Sequence, residues 1–412
     1  MYTCLLSNRI LILLVASVAI NYIDRGLLSV SAPLIQTQLG LSTSQLGILF
    51  SAFFWTYASV QIFAGWVVDR YPLKWVYAAG FLIWSLATAA TGLTASFGQL
   101  LAARLLLGFG ESVAYPATSK ILVREFPESR RGFANAMVDA GSKIGPGLST
   151  LAGGLLVTQY GWRPLFLGVG LVSLLWLIPW MLYARGGQEN AAHQPETAAA
   201  SPSMTALLLR REAWGTYLGM FALGYVWYFL LSWLPSYLVK ERGFSMSSMA
   251  MLGSVPFWGM AGATLAGGWC SDAWIRRGAS PTRVRKTFLI GGLLLCGAAM
   301  LPAVLVSDPR WCVGWLTAAC LLLGLYTSNV WAVTQTLAGP VAAGRWSGIQ
   351  NAIGNLGGVV SPLVTGWIVT QTGSFLLAFL AASAVLAGGA ACYLFLLGEV
   401  RPVDWSQRRS FP

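Results

Sequence analysis

One short motif occurs twice in this chain: Gly65-Trp-Val-Val-Asp69-Arg70-Tyr-Pro72 and, 203 residues later, Gly268-Trp-Cys-Ser-Asp272-Ala-Trp-Ile-Arg276-Arg277-Gly278. A longer repeat supports the same division, because residues 145–161 match residues 357–373 at eight of 17 positions. Similarity at a nearly constant offset indicates two related halves.

Outside these motifs the chain is strongly apolar. Of its 412 residues, 56% are hydrophobic and only 10% are charged, whereas an ordinary soluble domain has about 25% charged residues. A water-soluble enzyme is therefore excluded. Because about 20 apolar residues span a bilayer, the sequence predicts an all-α membrane protein with twelve transmembrane helices. The predicted spans are 10–35, 45–68, 75–94, 98–121, 134–157, 163–184, 213–239, 247–271, 285–306, 311–337, 344–370 and 373–397.

The distribution of Lys and Arg predicts the orientation of the spans. With the N-terminus inside, nineteen of these residues fall in cytoplasmic segments and four on the other side, as expected when positive charges resist translocation. Both termini are therefore predicted to be cytoplasmic. The net charge of +12 reflects this topology, and no nucleic acid partner is expected. The predicted domains are a six-helix bundle at 1–185, a cytoplasmic linker at 186–212, a second six-helix bundle at 213–398 and a cytoplasmic tail at 399–412.

Metal, disulfide and histidine chemistry have little support. The six cysteines show no CxxC spacing, and the single histidine, His193, lies in the polar linker. We expect no metal site, no organic cofactor and no enzymatic activity. Two parallel repeats of six helices are typical of secondary transporters, which move two bundles about a site near the bilayer centre.

The paired loop motifs resemble those of the major facilitator superfamily. Within it, Asn21-Tyr-Ile-Asp24-Arg25 and Arg104-Leu-Leu-Leu-Gly108-Phe-Gly-Glu111 are similar to segments of the anion:cation symporters. That family includes bacterial galactonate, glucarate and hexuronate transporters, the animal vesicular glutamate transporters and sialin. The resemblance implies the major facilitator fold and a proton-coupled symporter that imports a sugar acid: an aldonate, a uronate or an aldarate.

Six ionisable residues lie within predicted spans: Asp24, Arg25, Arg104, Glu111, Asp139 and Lys143. Each charge near the bilayer centre costs about 2.5–3.5 kcal/mol on insertion scales, so intramembrane charges are functional candidates. Glu111 lies two helical turns from Arg104, which leaves two readings open: an ion pair that braces the span, or an acid that exchanges a proton. Asp139 and Lys143, four residues apart, either pair with each other or leave Lys143 as a second cation for a dicarboxylate.

The resemblance assigns roles to individual residues. It implies proton coupling at Asp24 and Glu111, and binding of the substrate carboxylate at Arg25. It also implies substrate contacts at Tyr57, Gln61 and Asn351. Two further contacts are expected from residue type alone: Tyr228, whose hydroxyl suits a sugar hydroxyl, and Lys143, which departs from the family pattern. Residues expected to form gating or bracing ion pairs are Asp69, Arg70, Arg104, Asp139, Asp272 and Arg276.

The expected partners are a small organic anion, protons and the lipid bilayer. The protein is expected to function as a monomer in the inner membrane of a bacterium. Two alternatives stay open: an exporter or exchanger of another organic anion on the same fold, and, with less support, a membrane-embedded enzyme.

Overall fold

A computed structural model describes residues 2–126, 128–184 and 202–405; within these ranges, the side chains of residues 2–6, 62, 69, 128, 129, 131–133, 340 and 341 are not described. All regular structure in the described residues is helical. The helices are α1 (Tyr2–Leu39), α2 (Thr43–Arg70), α3 (Leu73–Thr91), α4 (Phe97–Glu111), α5 (Ala114–Glu125), α6 (Glu128–Leu148), α7 (Gly154–Tyr160), α8 (Trp162–Ser173), α9 (Leu177–Tyr183), α10 (Met204–Leu208), α11 (Arg211–Lys240), α12 (Met246–Arg276), α13 (Pro281–Leu305), α14 (Pro309–Thr372) and α15 (Leu376–Phe395).

Nine helical segments among the described residues are long and apolar enough to cross a membrane. Three of the predicted spans are divided in the structure. Span 98–121 is divided between α4 and α5 by a turn at Ser112 and Val113, and span 134–157 contains a π-helix at Ser149–Gly153 between α6 and α7. Span 163–184 contains a 3-10 helix at Leu174–Trp176 between α8 and α9. The count of twelve spans and the cytoplasmic location of the termini stay predictions.

The helix ends follow local sequence signals. Ser42 caps α2 in a capping box with Gln45, in which each side chain accepts a hydrogen bond from the other residue's backbone N–H. Gly339 adopts φ 61° and ψ −179°, so α14 consists of two helices joined at a sharp bend. This positive φ suits glycine because it has no Cβ. The bend falls between the predicted spans 311–337 and 344–370.

The contacts divide the chain into two compact units. The first comprises the described residues within Met1–Asn190, Tyr228–Trp258 and Gly358–Ala378, and the second those within Ala191–Trp227, Gly259–Gly357 and Phe379–Pro412. The first unit thus contains most of the first half of the chain together with parts of α11, α12 and α14. The bundles predicted at 1–185 and 213–398 stay a prediction.

Small residues bring the helices of the first unit close together. A Cβ on Gly145 of α6 would lie 2.5 Å from the Cβ of Tyr22 on α1, and a Cβ on Gly141 would lie 2.8 Å from the carbonyl oxygen of Val15. Gly108 of α4 lies equally close to the backbone of α2 at Phe53. Close approach through small residues is the usual basis of helix association in membranes.

Parts of α11 and α14 pack on α1 and α2 within the first unit. Ser29 donates a hydrogen bond to the Ser232 carbonyl at 2.7 Å, and Ser51 donates one to the Val359 carbonyl at 2.9 Å. A Cβ on Gly47 would lie 2.6 Å from the Pro362 carbonyl oxygen. These contacts lie toward the end of the bundle that carries the α1–α2 loop, which is predicted to face outward.

The second unit has its own close helix contacts. Gly224 of α11 packs against the backbone of α14 at Gly354. On α14 and α15, the hydroxyls of Tyr326 and Tyr393 are 2.7 Å apart, and both tyrosines are fully buried.

Candidate functional site

The site is built around a break in the fourth predicted span. Helix α4 ends at Glu111, and α5 begins at Ala114 after the turn at Ser112 and Val113. Glu111 is the last residue of α4, and the backbone keeps right-handed helical angles through Ser112 and Val113. Its side chain is completely buried, so an ionised Glu111 needs a cation beside it.

Arg25 of α1 supplies that cation. Its Nε donates a hydrogen bond to Oε2 of Glu111 at 2.9 Å, and its Nη2 lies 2.9 Å from the same oxygen. The two side chains are 3% and 0% exposed. Glu111 therefore makes its ion pair across the helices with Arg25. Among the described residues, Arg25 is the cation that contacts Glu111 directly, and Arg104 lies within electrostatic range of the same carboxylate. The two readings of the Arg104–Glu111 spacing stay predictions.

Aromatic rings surround the Arg25 guanidinium. Its carbon lies 4.7 Å from the ring centroid of Tyr22, 4.4 Å from that of Phe53 and 4.8 Å from that of Tyr57. Each ring presents a negative face to the cation. Tyr57 also stacks on Phe53 at 5.2 Å, so the two α2 rings support each other.

Arg104 lies near the same ring system. Its guanidinium carbon is 5.4 Å from the centroid of Phe53, so two cations share one phenyl ring. Its Nε is buried and has no hydrogen-bond partner among the described residues. A buried donor in this state costs about 1–3 kcal/mol, which makes Arg104 available to an anion.

Asp24 has no ion pair with its sequence neighbour Arg25. Adjacent helical residues point about 100° apart, and the Thr88 side chain of α3 lies near the Asp24 carboxylate without a hydrogen bond to it. The carboxylate is 1% exposed, and neither oxygen has a hydrogen-bond partner in the described part of the chain. Glu111, Arg104 and Arg25 are within electrostatic range of it.

A small cavity lies between the two arginines. It has a volume of about 10 Å³ and is lined by Arg25, Arg104, Phe50, Phe53, Phe54, Tyr228, Leu231 and Ser232. That volume is about enough for one water molecule. Tyr228 reaches it from α11, with its ring 4.4 Å from that of Phe54. Arg25, Tyr57 and Tyr228, all predicted to contact substrate, are thus brought together in the first unit.

Lys143 lies on α6 and pairs with Asp139. The Lys143 Nζ is 3.0 Å from Oδ1 of Asp139 and 2.9 Å from the Ser142 hydroxyl. The Lys143 side chain is 13% exposed and that of Asp139 is 48% exposed. The ion pair suggested by the four-residue spacing is therefore present.

Two other predicted contacts lie apart from this cluster. Gln61 is half-buried on α2, one turn beyond Tyr57. Asn351 belongs to the second unit, where it is half-buried on α14 next to Gln350, whose Oε1 accepts a 2.6 Å hydrogen bond from Thr334. Their roles stay predictions.

The second copy of the loop motif has a partner that the sequence did not reveal. Asp272 pairs with Arg285 of α13 at 2.9 Å, whereas Arg276 is exposed. Arg285 also donates hydrogen bonds to Ser271 at 2.9 Å and to Asn329 at 2.6 Å. Sequence reasoning counted Arg285 only as a topology charge; its place at the start of the next helix was the available signal.

The first copy of the motif is described only in part. The side chain of Asp69 lies outside the described residues. Arg70 is exposed, with its guanidinium 5.7 Å from the ring of Trp66. The role of both residues in gating stays a prediction.

A larger cavity of about 590 Å³ lies between α1, α6–α7 and α8–α9, but its walls are almost entirely apolar. Its lining includes Ile23, Leu156 and Val172 and contains no ionisable side chain other than Tyr160. An organic anion would lose its hydration there without gaining a cation, so this cavity does not suit one. Among the described residues, no group of three or more His, Cys, Asp or Glu side chains could hold a metal ion.

Comparison with known proteins establishes the family. Residues 14–362 match the Major Facilitator Superfamily. The chain belongs to this superfamily. A crystal structure of a bacterial homologue of the human lysosomal transporter Spinster, in an inward-facing and unoccupied conformation, has the same fold, with a TM-score of 0.72, 22% sequence identity and 95% of each chain covered.

Several curated relatives are named as transporters of organic acids. The chain is 32% identical to a probable sulfoacetate transporter of Cupriavidus necator, covering 92% of this chain and 90% of the relative. It is 32% identical to a hexuronate transporter of Bacillus subtilis, with 96% and 94% covered, and 31% identical to a probable galactarate/D-glucarate transporter of Escherichia coli K12, with 96% of each covered. The predicted resemblance is confirmed. The protein is a multi-pass membrane transporter.

Proposed function

We propose that this protein is a proton-coupled symporter that imports a sugar acid by alternating access. The buried ion pair between Arg25 and Glu111 is the observation that carries this proposal. A guanidinium fork matches a carboxylate in two parallel hydrogen bonds. Glu111 therefore occupies the position on Arg25 that a substrate carboxylate would take.

Protonation of Glu111 would couple proton binding to substrate binding. A neutral Glu111 holds Arg25 weakly, which frees the guanidinium for the carboxylate of the substrate. Breaking a buried pair without a replacement partner costs about 3–5 kcal/mol. Proton binding and substrate binding are each favoured by the other, since the substrate supplies the replacement charge.

Asp24 is proposed as a second proton carrier. Its carboxylate is buried without a hydrogen bond from the described residues, and an isolated buried carboxylate is much more stable when protonated. We propose that Asp24 loads a proton on the outward side and releases it toward the cytoplasm.

Arg104 and the aromatic rings favour a compact, polar acid. Arg104 lines the same small cavity as Arg25 and can approach a second acidic group or a hydroxyl of the substrate. Tyr57 and Tyr228 provide ring faces and hydroxyls. Aldonates, uronates and aldarates carry this combination of carboxylate and hydroxyl groups, and two of the relatives are named for such acids. The remaining features of the proposal are a bacterial inner-membrane location and a functional monomer.

The direct test is uptake into liposomes that contain the purified protein, with an inward proton gradient. Labelled galactonate, glucuronate, glucarate, sulfoacetate and lactate are compared. We expect gradient-dependent accumulation of one of the sugar acids. Accumulation of sulfoacetate alone would overturn the substrate class but keep the symport mechanism. Exchange without gradient-driven accumulation would overturn symport and favour an exchanger.

Glu111→Gln provides the test of the coupling residue. This variant should lose gradient-driven accumulation while it still exchanges internal for external substrate, because glutamine imitates the protonated acid. The matched control is Glu399→Gln, which changes an exposed glutamate whose ion-pair partner among the described residues is Arg401. Retention of proton-driven accumulation in Glu111→Gln would contradict the assignment.

A further inference from the structure

Buried polar side chains form two layers inside the first unit. The central layer contains Asp24 of α1, Ser85 of α3 and Glu111 of α4, and the inner layer contains Ser17 of α1, Tyr77 of α3 and Thr118 of α5. All six residues are at most 3% exposed.

The spacing between the layers is similar along all three paths, of which the third crosses the turn between α4 and α5. Ser17 precedes Asp24 by seven residues, Tyr77 precedes Ser85 by eight, and Thr118 follows Glu111 by seven. At 1.5 Å per residue, each interval is about 10–12 Å. The inner layer therefore lies roughly two turns closer than the central layer to the end of the bundle that is predicted to be cytoplasmic.

Hydrogen bonds already connect the inner layer. The hydroxyls of Ser17 and Tyr77 are 2.6 Å apart, and those of Tyr77 and Thr118 are 3.4 Å apart. Each hydroxyl can both donate and accept. The three side chains form a chain of groups that can pass a proton.

Two further polar side chains occupy the interval between the layers. Asn21 lies one turn above Ser17, and its amide nitrogen and oxygen are both buried without a partner in the described part of the chain. Trp84 has a buried indole N–H in the same state. Asn21 lies beside Glu111, and Thr88 lies beside Asp24.

Buried polar atoms without a hydrogen-bond partner from the described residues are unusually frequent between the two layers. Buried polar groups are normally hydrogen-bonded to protein or to ordered water, and each one left without a partner costs about 1–3 kcal/mol. We call the two layers and the interval between them the seam. Within it, the residues with buried polar atoms that lack a hydrogen-bond partner among the described residues are Asn21, Asp24, Trp84, Ser85, Thr88 and, through one oxygen, Glu111. Internal water molecules, each with two to four polar neighbours, would satisfy these atoms and bridge the layers.

The seam shares Glu111 with the substrate site and otherwise uses different side chains of the described residues. The Arg25 guanidinium is enclosed by Phe53 and Tyr57 of α2 and Tyr22 of α1, whereas the seam uses Ser85 and Tyr77 of α3. A proton could therefore leave Asp24 along the seam while a substrate remains bound to Arg25.

We propose that Asn21, Ser17, Tyr77 and Thr118 form a water-bridged relay that carries the proton from Asp24 to the inner layer, toward the end of the first unit that is predicted to be cytoplasmic. This proposal rests on the proposed symport. The Asp24 carboxyl gives its proton to the adjacent water. Each hydroxyl then accepts one proton and passes on its own, so one proton leaves at Thr118 and Asp24 is left ionised.

Tyr77→Phe tests the relay because it removes one hydroxyl and keeps the ring. Two assays are made in the same liposomes: gradient-driven accumulation, which requires proton release, and counterflow of substrate at equal pH, which does not. Positioned proton-transfer groups contribute about 10²–10⁴-fold to rates, although water can partly replace one member of a relay. We expect at least a tenfold fall in the rate of accumulation and less than a twofold change in counterflow.

The matched control is Tyr326→Phe, which removes a buried tyrosine hydroxyl bonded to Tyr393 in the second unit. It should change neither assay. Ser17→Ala should reproduce the Tyr77→Phe result, and Ser17→Thr, which keeps a hydroxyl, should restore accumulation. These milder variants preserve the test if Tyr77→Phe folds poorly.

The outcomes separate the two proposals. If the wild-type protein shows no proton-driven accumulation, the proposed symport itself fails. If the wild type is coupled but Tyr77→Phe and Ser17→Ala leave accumulation unchanged, the relay is wrong. Equal falls in accumulation and counterflow would also overturn it, since they would indicate a purely structural role.

Discussion

Arg25 is held by a carboxylate on one side and by aromatic rings around it. The Glu111 pair supplies charge and the rings of Tyr22, Phe53 and Tyr57 supply orientation. The planar guanidinium of arginine recognises one carboxylate geometry, whereas the ammonium group of lysine is a point charge on a flexible side chain. Specificity for an acid at this position therefore depends on the guanidinium and not on positive charge alone.

Replacement of Arg25 by lysine should weaken substrate binding more than it slows transport. The loss of one charge-assisted hydrogen bond, about 1.5–3 kcal/mol, predicts a rise in KM of about ten- to a hundredfold. The maximal rate should change less, and uptake kinetics measure both values. Arg283→Lys, the same substitution at an exposed position in the first turn of α13, is the control. An unchanged KM in Arg25→Lys would remove Arg25 from the substrate site.

The Arg25–Glu111 pair also predicts a pattern of stabilities. Arg25→Met leaves Glu111 buried without its cation and should lower thermal stability in detergent by an amount equivalent to about 3–5 kcal/mol. The double variant Arg25→Met/Glu111→Met should recover most of that loss, because no uncompensated charge remains. Additive losses in the double variant would contradict the pairing.

At the scale of the elements, glycines determine how closely helices approach. Gly141 and Gly145 allow α6 to contact the backbone of α1 beside Tyr22. Since Asp24 and Arg25 follow Tyr22 directly, the α1–α6 contact supports the helix that carries the candidate site. The π-helix at Ser149–Gly153 continues this contact, with Ser149 packed against Gly26.

Gly145→Leu should therefore destabilise the protein. Its Cβ would lie 2.5 Å from that of Tyr22 and 2.7 Å from the Ala19 carbonyl oxygen, and overpacking typically costs about 1–3 kcal/mol. We expect a lower Tm and reduced uptake. Gly314→Leu on α14 is the matched control, because no atom lies within 4 Å of its Cβ position. Equal stability of the two variants would show that the α1–α6 contact relaxes without cost.

At the scale of the whole molecule, the coupled charges determine how uptake responds to voltage. A monoanion carried with two protons moves one net positive charge inward, whereas a dianion carried with two protons moves none. An inside-negative potential contributes about 2.3 kcal/mol per charge per 100 mV. That energy corresponds to about fiftyfold in accumulation.

A potassium diffusion potential tests this consequence. In liposomes with an inside-negative potential, accumulation of a monocarboxylate substrate should rise strongly, and accumulation of an aldarate should hardly change. The potential is generated with a potassium ionophore, and the matched control uses the same ion gradients without the ionophore. Voltage stimulation that is equal for both classes would exclude the release of two protons per substrate.

The topology can also be measured on the whole molecule. In a cysteine-free background, Ser307→Cys lies in the α13–α14 loop, predicted to be outside, and His193→Cys lies in the linker, predicted to be cytoplasmic. A membrane-impermeant maleimide added to right-side-out vesicles should label only the first. Labelling of His193→Cys without permeabilisation would reverse the predicted orientation.

The sequence alone was sufficient for the class of protein and most helix positions. Hydropathy and the placement of Lys and Arg depend on the transfer free energy of each residue, which is a local property. The break between spans 311–337 and 344–370 was predicted in this way, and the structure has it at Gly339. The resemblance to sugar acid transporters rested on contiguous motifs, and comparison with relatives confirmed it.

Only the tertiary structure decided which charges meet. Arg25 and Glu111 are 86 residues apart, and Asp272 pairs with Arg285 of the next helix and not with Arg276 of its own motif. The two polar layers likewise require the relative heights of helices that are distant in sequence. Periodicity places a side chain on a face of its own helix. The identity of its partner depends on the position and rotation of the neighbouring helix. The packing of small residues such as Gly108 and Gly145 sets that position and rotation.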